Sequence, residues 1–468
     1  MGGTRLIAQL VTWVVSMAVA RILTPTDYGI VGMASVFLGV LVILSEFGIG
    51  SAVIAHPELS LEDVSELHTI AVAAGLVSAL VAVAAAWPLA QFFATKELIW
   101  VVVVLSINLL LGALRTVPQA YLQRELRFRS VAKIDLVQST IQAAATLVFA
   151  LMGWRYWSLL LGTLLGSMVF SLTIWYQSRL GLRMPSLRRH RAVLIVSRDV
   201  LFTRLAWYGF QNADFAIIGR RLGGHALGVY TIAWNLALLP LEKLSALTAN
   251  LSPAIFSAAR SDPALTRRYL FAMSNALLIV TLPPTVGIAL VAPDLVLSFV
   301  GEKWIEAIPS LRLLAAYCAV RCLEPLWTQL LVVSGDSRFA FRQHLLAFII
   351  LPIAFYFASS RGIAFVAATW IALHPLVIVI PLFLRVSKRF QVTFAQQLAS
   401  SLPAIASTAC MSAVVVLFQQ TVLNGQPPIV RLLAASGVGA LTVTAVLVLG
   451  FRDRIESLRR LIKNRSLD

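Results

Sequence analysis

The chain has 468 residues, 59% of them hydrophobic and only 13% charged, and its mean hydropathy is +0.85. Soluble domains carry about twice that share of charge, so a soluble enzyme or binding module is excluded and an all-α polytopic membrane protein is expected. Lys and Arg number 38 against 21 Asp and Glu, for a net charge of +17. The basic residues lie in short loops and form no run interleaved with aromatics, so no nucleic acid is expected as a partner.

Apolar runs of about 18 residues or more predict about fourteen spans. They fall near 6–23, 28–55, 67–90, 98–120, 132–152, 154–177, 199–222, 227–257, 269–293, 308–332, 340–358, 362–385, 398–420 and 428–450. The first run, with Arg5 before it and Ala18-Val19-Ala20 near its end, also fits the pattern of a cleaved signal. The segment 199–222 holds the same place in the second half, so 6–23 is read as a retained span. A turn at Thr24-Pro25-Thr26-Asp27 follows, in which Pro25 sets φ and Asp27 is expected to cap the next helix. That helix should run from Tyr28 to Ile54 and carries Glu46, with Gly48 and Gly50 behind it. A carboxylate at such depth is costly against lipid and should face protein or a cavity.

The same design recurs from Arg220. Arg21 matches Arg220, Gly29 matches Gly228 and Ala34 matches Ala233, each pair 199 residues apart, and a second acidic residue, Glu242, lies deep in the repeated span. A repeat at that distance predicts two related halves with a site at their interface. The expected organisation is an N-terminal six-helix lobe (1–178), a basic cytoplasmic linker (179–198), and a C-terminal six-helix lobe (199–386). Two additional transmembrane helices (387–451) and a basic cytoplasmic tail (452–468) complete it. The tail places Ile455, Leu458, Leu461 and Ile462 on one face and is expected to rest on the inner leaflet, its cations against anionic membrane lipids. Lys and Arg asymmetry puts both termini in the cytoplasm, with 124–133, 178–198 and 385–391 inside and 24–27 and 421–427 outside. The acidic loop 56–66 departs from that pattern.

Residues for chemistry are scarce. No Gly-Lys pair exists, so there is no phosphate-binding loop, and neither a nucleophile elbow nor a metal motif is present; no enzyme activity, cofactor or metal is expected. Cys318, Cys322 and Cys410 lie in apolar spans and read as packing residues, and the six histidines are scattered singly. Gly162-x-x-x-Gly166 reads as a close helix contact. What remains is charge inside the spans: Glu46, Asp135, Asp214, Glu242 and Glu324, against Arg115, Arg204, Lys243, Arg312 and Arg321. Such residues line pathways or pair with one another. Arg115, Asp135 and Arg204 sit near span ends and can snorkel, whereas Arg321 and Glu324 are three apart and can pair.

Several stretches together resemble the oligosaccharide/polysaccharide flippase family of the multidrug/oligosaccharidyl-lipid/polysaccharide exporter superfamily. They are ARILTPTDYGIVGMA with SEFGIGSAVI (20–54), QAYLQRELRFRSVAKID (119–135), GWRYWSLLLG (153–162), GRRLGGHALGVYTIAWNLALLPLEKL (219–244) and ARSDPALTRRYL (259–270). Only Met1–Arg5 precede the first span, a shorter lead than the family's. The resemblance implies a V-shaped pair of six-helix lobes and transfer of a polyprenyl-diphosphate-linked oligosaccharide from the inner to the outer leaflet by alternating access. It also implies a cationic cavity for the diphosphate, for which Arg321, Arg204 and Arg115 are the candidates, and polysaccharide polymerase or export machinery as partners. With no nucleotide site, coupling to a proton or sodium gradient is expected through Asp214, Glu46 or Glu242. A multidrug or organic-cation antiporter of the same superfamily, and a non-transporting scaffold for polysaccharide synthesis, are the alternatives.

Overall fold

The computed structural model describes residues 2–46, 48–56, 58–184, 201, 204–258 and 262–452; most of the basic linker and nearly all of the tail lie outside them. Backbone contacts divide the chain into two compact units, Met1–Thr231 and Ile232–Asp468. Eleven described helices are long and apolar enough to cross a membrane. Their outer faces carry Leu76, Val77, Leu80, Ile349, Ile353, Phe357, Leu441 and Leu449, all exposed. So many large apolar side chains exposed on long helices require lipid rather than water around them.

The first unit contains α1 (Gly2–Ile22), α2 (Pro25–Glu46), α3 (Ile49–Ala55), α4 (Leu61–Phe92), α5 (Leu98–Arg124), α6 (Phe128–Leu151) and α7 (Tyr156–Ser178). α5 is central, packing on α2, α3, α4 and α7, while α6 joins α1 to α7. The expected 28–55 span is two helices, because Gly48 adopts φ 68° and turns the chain between α2 and α3. Only glycine enters that left-handed conformation without strain. Gly162 and Gly166 admit α6 as expected: a Cβ at Gly162 would lie 1.9 Å from Thr146 Oγ1, and one at Gly166 2.8 Å from Gln142 Cβ. Asp27 is not the cap residue itself. The Thr24 hydroxyl accepts from Asp27 N (3.3 Å) while Asp27 Oδ2 accepts from Thr24 N (2.9 Å), a reciprocal box that Arg155 closes at 3.2 Å from Oδ1.

The helix α8 (Ala213–Ala258) kinks at Gly223 (φ 82°), so the expected 199–222 and 227–257 spans run on without a loop. The second unit continues with α9 (Pro263–Leu290), α10 (Ala307–Val320), α11 (Glu324–Val333), α12 (Ser337–Ala358) and α13 (Ile363–His374). A π-helical turn (Pro375–Val379) follows, then α14 (Ile380–Phe390), α15 (Phe394–Thr421) and α16 (Pro428–Gly450). The expected 308–332 span is broken at Arg321–Leu323 into α10 and α11. α10 packs on α9 and α13, α11 on α12 and α14, and the hairpin α15–α16 lies against α9.

Candidate functional site

In the first unit the repeated glycines meet. A Cβ at Gly29 would stand 1.8 Å from the Gly224 carbonyl oxygen, and a Cβ at Gly228 would stand 1.7 Å from the Pro25 carbonyl oxygen. Pro25 and Gly224, like Gly29 and Gly228, are 199 residues apart. The contact is therefore reciprocal: position 25 of one repeat touches position 29 of the other, and the reverse, as a two-fold axis demands. Backbones approach this closely only where no side chain intervenes, the small-xxx-small arrangement of membrane helices. Met33, fully buried, lies against Gly219 and Gly224 just below the crossing. Tyr208 secures the preceding helical turn, its hydroxyl 3.1 Å from the carbonyl oxygens of Ser35 and Val36 over Gly39.

Asp214 is completely buried at the start of α8. Its Oδ2 accepts from the Tyr230 hydroxyl at 2.7 Å and its Oδ1 from Phe215 N at 2.9 Å. Tyr230 is also fully buried and reaches Asp214 because the chain kinks at Gly223 between them. The neighbouring Asn212 amide donates to the Tyr208 carbonyl instead.

In the second unit, Arg321 (8% exposed), Glu324 (6%), His374 (0%) and Tyr317 (0%) form one buried cluster. Arg321 Nε lies 3.5 Å and His374 Nε2 3.4 Å from the same Glu324 oxygen, Oε2. A guanidinium nitrogen of Arg321 donates to the Tyr317 hydroxyl at 2.7 Å. Trp370, Tyr317 and Trp234 stack around the imidazole side of the cluster, Tyr317 5.0 Å and Trp370 5.7 Å from the His374 ring. The sequence reading named Arg321 and Glu324 but passed over His374, a single histidine in an apolar run whose one signal is Pro375 behind it. Elsewhere in this unit an apolar groove of about 550 Å³ opens between α9, α15 and α16, lined by Pro283, Pro284, Gly287, Met411, Leu432 and Gly439.

The remaining expected residues are dispersed. Arg115 is half-buried with its guanidinium 5.5 Å from the Phe170 ring, and Arg204 is exposed. The side chains of Glu46 and Glu242 lie outside the described ones. Among the described residues no group of His, Cys, Asp and Glu is placed to hold a metal ion.

The family model described as "Polysaccharide biosynthesis protein" matches residues 18–309. Among curated relatives, the succinoglycan biosynthesis transport protein ExoT of Rhizobium meliloti is 25% identical over 94% of this chain and 89% of its own length. The teichuronic acid biosynthesis protein TuaB of Bacillus subtilis is 23% identical over 64% of this chain, and the match spans 62% of that relative. The fold is also that of the lipid II flippase MurJ, with a TM-score of 0.76 at 15% identity over 97% of this chain and 99% of the other. A multidrug resistance MATE transporter gives a TM-score of 0.67 at 15% identity over 81% and 94%. The family model covers most of the chain, so the chain belongs to this polysaccharide biosynthesis family, and it is a multi-pass membrane protein with a fold shared by transporters.

Proposed function

We propose that the chain moves a polyprenyl-diphosphate-linked oligosaccharide from the inner to the outer leaflet of the cytoplasmic membrane, for envelope or exopolysaccharide export. The single observation that carries alternating access is the reciprocal crossing of α2 and α8. Two repeat-related helices touching at backbone distance make a contact that either closes fully or opens fully, as a gate must. The apolar groove between α9 and the hairpin α15–α16 supports a lipid-linked cargo, because it offers an isoprenoid tail an apolar protein surface. Coverage points the same way: the flippase neighbour matches nearly the whole chain, while the multidrug neighbour leaves about a fifth of it without a counterpart.

The lobes at 1–178 and 199–386, about fourteen spans with both termini cytoplasmic, and a crossing on the outer side complete this reading. Arg204 and Arg115 remain the cations for the diphosphate, since guanidinium matches paired phosphate oxygens. Arg321 can serve only by giving up Glu324. Asp214 is the coupling carboxylate of the first unit, buried yet hydrogen-bonded by an ionisable hydroxyl.

A deletion strain separates the readings. Accumulation of lipid-linked sugar on the inner leaflet, reversed by the gene, is the expected result. Heightened drug sensitivity with normal polysaccharide export would instead support the antiporter, and loss of polymer without accumulation would support a scaffold.

A further inference from the structure

A broken helix and a helix interrupted by a π-turn meet inside the second unit. α10 ends at Arg321 and α11 begins at Glu324; α13 ends at His374, directly before Pro375 and a π-helical turn. Interrupted helices free backbone groups that must be satisfied locally, and in membranes they persist where they build a binding or switching element. Part of that satisfaction is visible, since the buried Gln343 of α12 donates to the carbonyl oxygens of Val377 and Ile378. At the point where the breaks face each other, the side chains are under-satisfied. Arg321 Nε, Glu324 Oε2 and both ring nitrogens of His374 are buried without a hydrogen bond.

The pairwise distances explain this. His374 Nε2 and Glu324 Oε2 stand 3.4 Å apart, longer than a charge-assisted N–H···O bond of about 2.7–2.9 Å. A neutral imidazole with its proton on Nδ1 turns a lone pair toward a carboxylate oxygen, and the two repel. With Arg321 cationic, Glu324 anionic and His374 neutral, the cluster carries no net charge, which suits its burial. One added proton changes both facts: it gives Nε2 a donor aimed at Oε2, and it leaves a net charge of one in an apolar site. The first effect pulls the two breaks together; the second makes the protonated form dependent on a rearrangement that resolvates or compensates it.

We propose that Arg321, Glu324 and His374 form a one-proton binding site in which protonation of His374 draws the start of α11 against the π-turn of the neighbouring span. The proton comes from bulk water onto Nε2 and returns to bulk water; no other bond is made or broken. Arg321 is the positioning residue, holding Glu324 ionised from one side while His374 approaches from the other. The groups facing the imidazole are Arg321 and Glu324 at the first break, Tyr317 of α10, and His344 of α12. From α8 and α13 the rings of Trp234 and Trp370 complete the enclosure and carry no charge. The site's part in coupling rests on the transport reading; its titration does not.

The test uses the full chain in lipid nanodiscs with 15N-labelled histidine. His374→Gln removes one of the resonances from the six histidines and so assigns it. The assigned imidazole is expected to pass from neutral to cationic between about pH 5 and 8. Glu324→Gln should lower its midpoint by about one pH unit or more, a tenfold loss of proton affinity. Glu324→Asp, which retains the charge and the fold, should lower it in the same direction. An imidazole that stays neutral from pH 5 to 9, or a midpoint indifferent to both Glu324 variants, overturns the site. In proteoliposomes supplied with a polyprenyl-diphosphate oligosaccharide, His374→Gln should lose the dependence of transport on the pH gradient. Unchanged dependence overturns the coupling role. Absence of transport beside an intact titration counts against the flippase reading and leaves the proton site standing.

Discussion

Replacing Gly228 by alanine places a methyl carbon 1.7 Å from the Pro25 carbonyl oxygen. A tolerated C···O contact is about 3.3 Å, so the backbones must separate by roughly 1.5 Å. Neither atom can swing aside, because one is bonded directly to a helix backbone and the other belongs to one. Overpacking of this kind costs about 1–3 kcal/mol. If the crossing is the closed form of a gate, that cost falls on the closed state alone and shifts the population toward the open one by about 5- to 150-fold. The assay is the reactivity of a cysteine at Met33, which is fully buried under the crossing, in a Cys410→Ala background with a membrane-impermeant maleimide. Labelling from outside should be slow with Gly228 and faster by that factor with Gly228→Ala. Gly29→Ala should behave alike, because its contact with Gly224 is the two-fold counterpart. The double variant should add little, since both relieve or obstruct one contact. An unchanged labelling rate with normal export would show that the helices never need to touch, and the gate argument would fail.

Other outcomes follow from the buried charges and the topology. Arg321→Ala strands Glu324 and should cost about 3–5 kcal/mol of stability. Adding Glu324→Ala should recover the melting temperature but not export; recovered export would make the pair structural and nothing more. Asp214→Asn should leave substrate binding nearly intact and abolish gradient dependence in proteoliposomes, with Tyr230→Phe weaker in the same direction, since only the hydroxyl is lost. Unchanged gradient dependence in Asp214→Asn would reassign coupling to Glu46 or Glu242. Reporter fusions after residues 187 and 425 should report cytoplasm and outside respectively. A periplasm-only reporter active at 187 would invert the orientation.

The repeat was legible in the sequence because it rests on identities at fixed spacing, Arg21 with Arg220 and Gly29 with Gly228, and the structure shows what the glycines are for. The turn at Thr24–Asp27, though not that Thr24 rather than Asp27 caps the helix, and the close contact of Gly162 and Gly166 were equally local and equally readable. The breaks were harder. Hydropathy treats 308–332 as one run, because Arg321 and Glu324 are too few to lower its mean; the signal was Pro325, which sits in the first turn of α11. His374 and Glu324 are 50 residues apart, and only the packing of α13 on α10 brings the imidazole to the carboxylate. Asp214 was singled out, but its partner was not: Tyr230 lies 16 residues further along the chain, and the positive φ of Gly223 between them redirects it.

The account's central claim is movement of a lipid-diphosphate-linked sugar between leaflets. Its most direct test is the purified chain in proteoliposomes containing a fluorescent polyprenyl-diphosphate oligosaccharide in both leaflets, challenged with a membrane-impermeant quencher. Vesicles with the protein should expose well beyond the outer-leaflet share of the probe, and those with Gly228→Ala should fall back toward protein-free vesicles. Identical quenching with and without the native protein, under an imposed pH or sodium gradient of either sign, would contradict the claim.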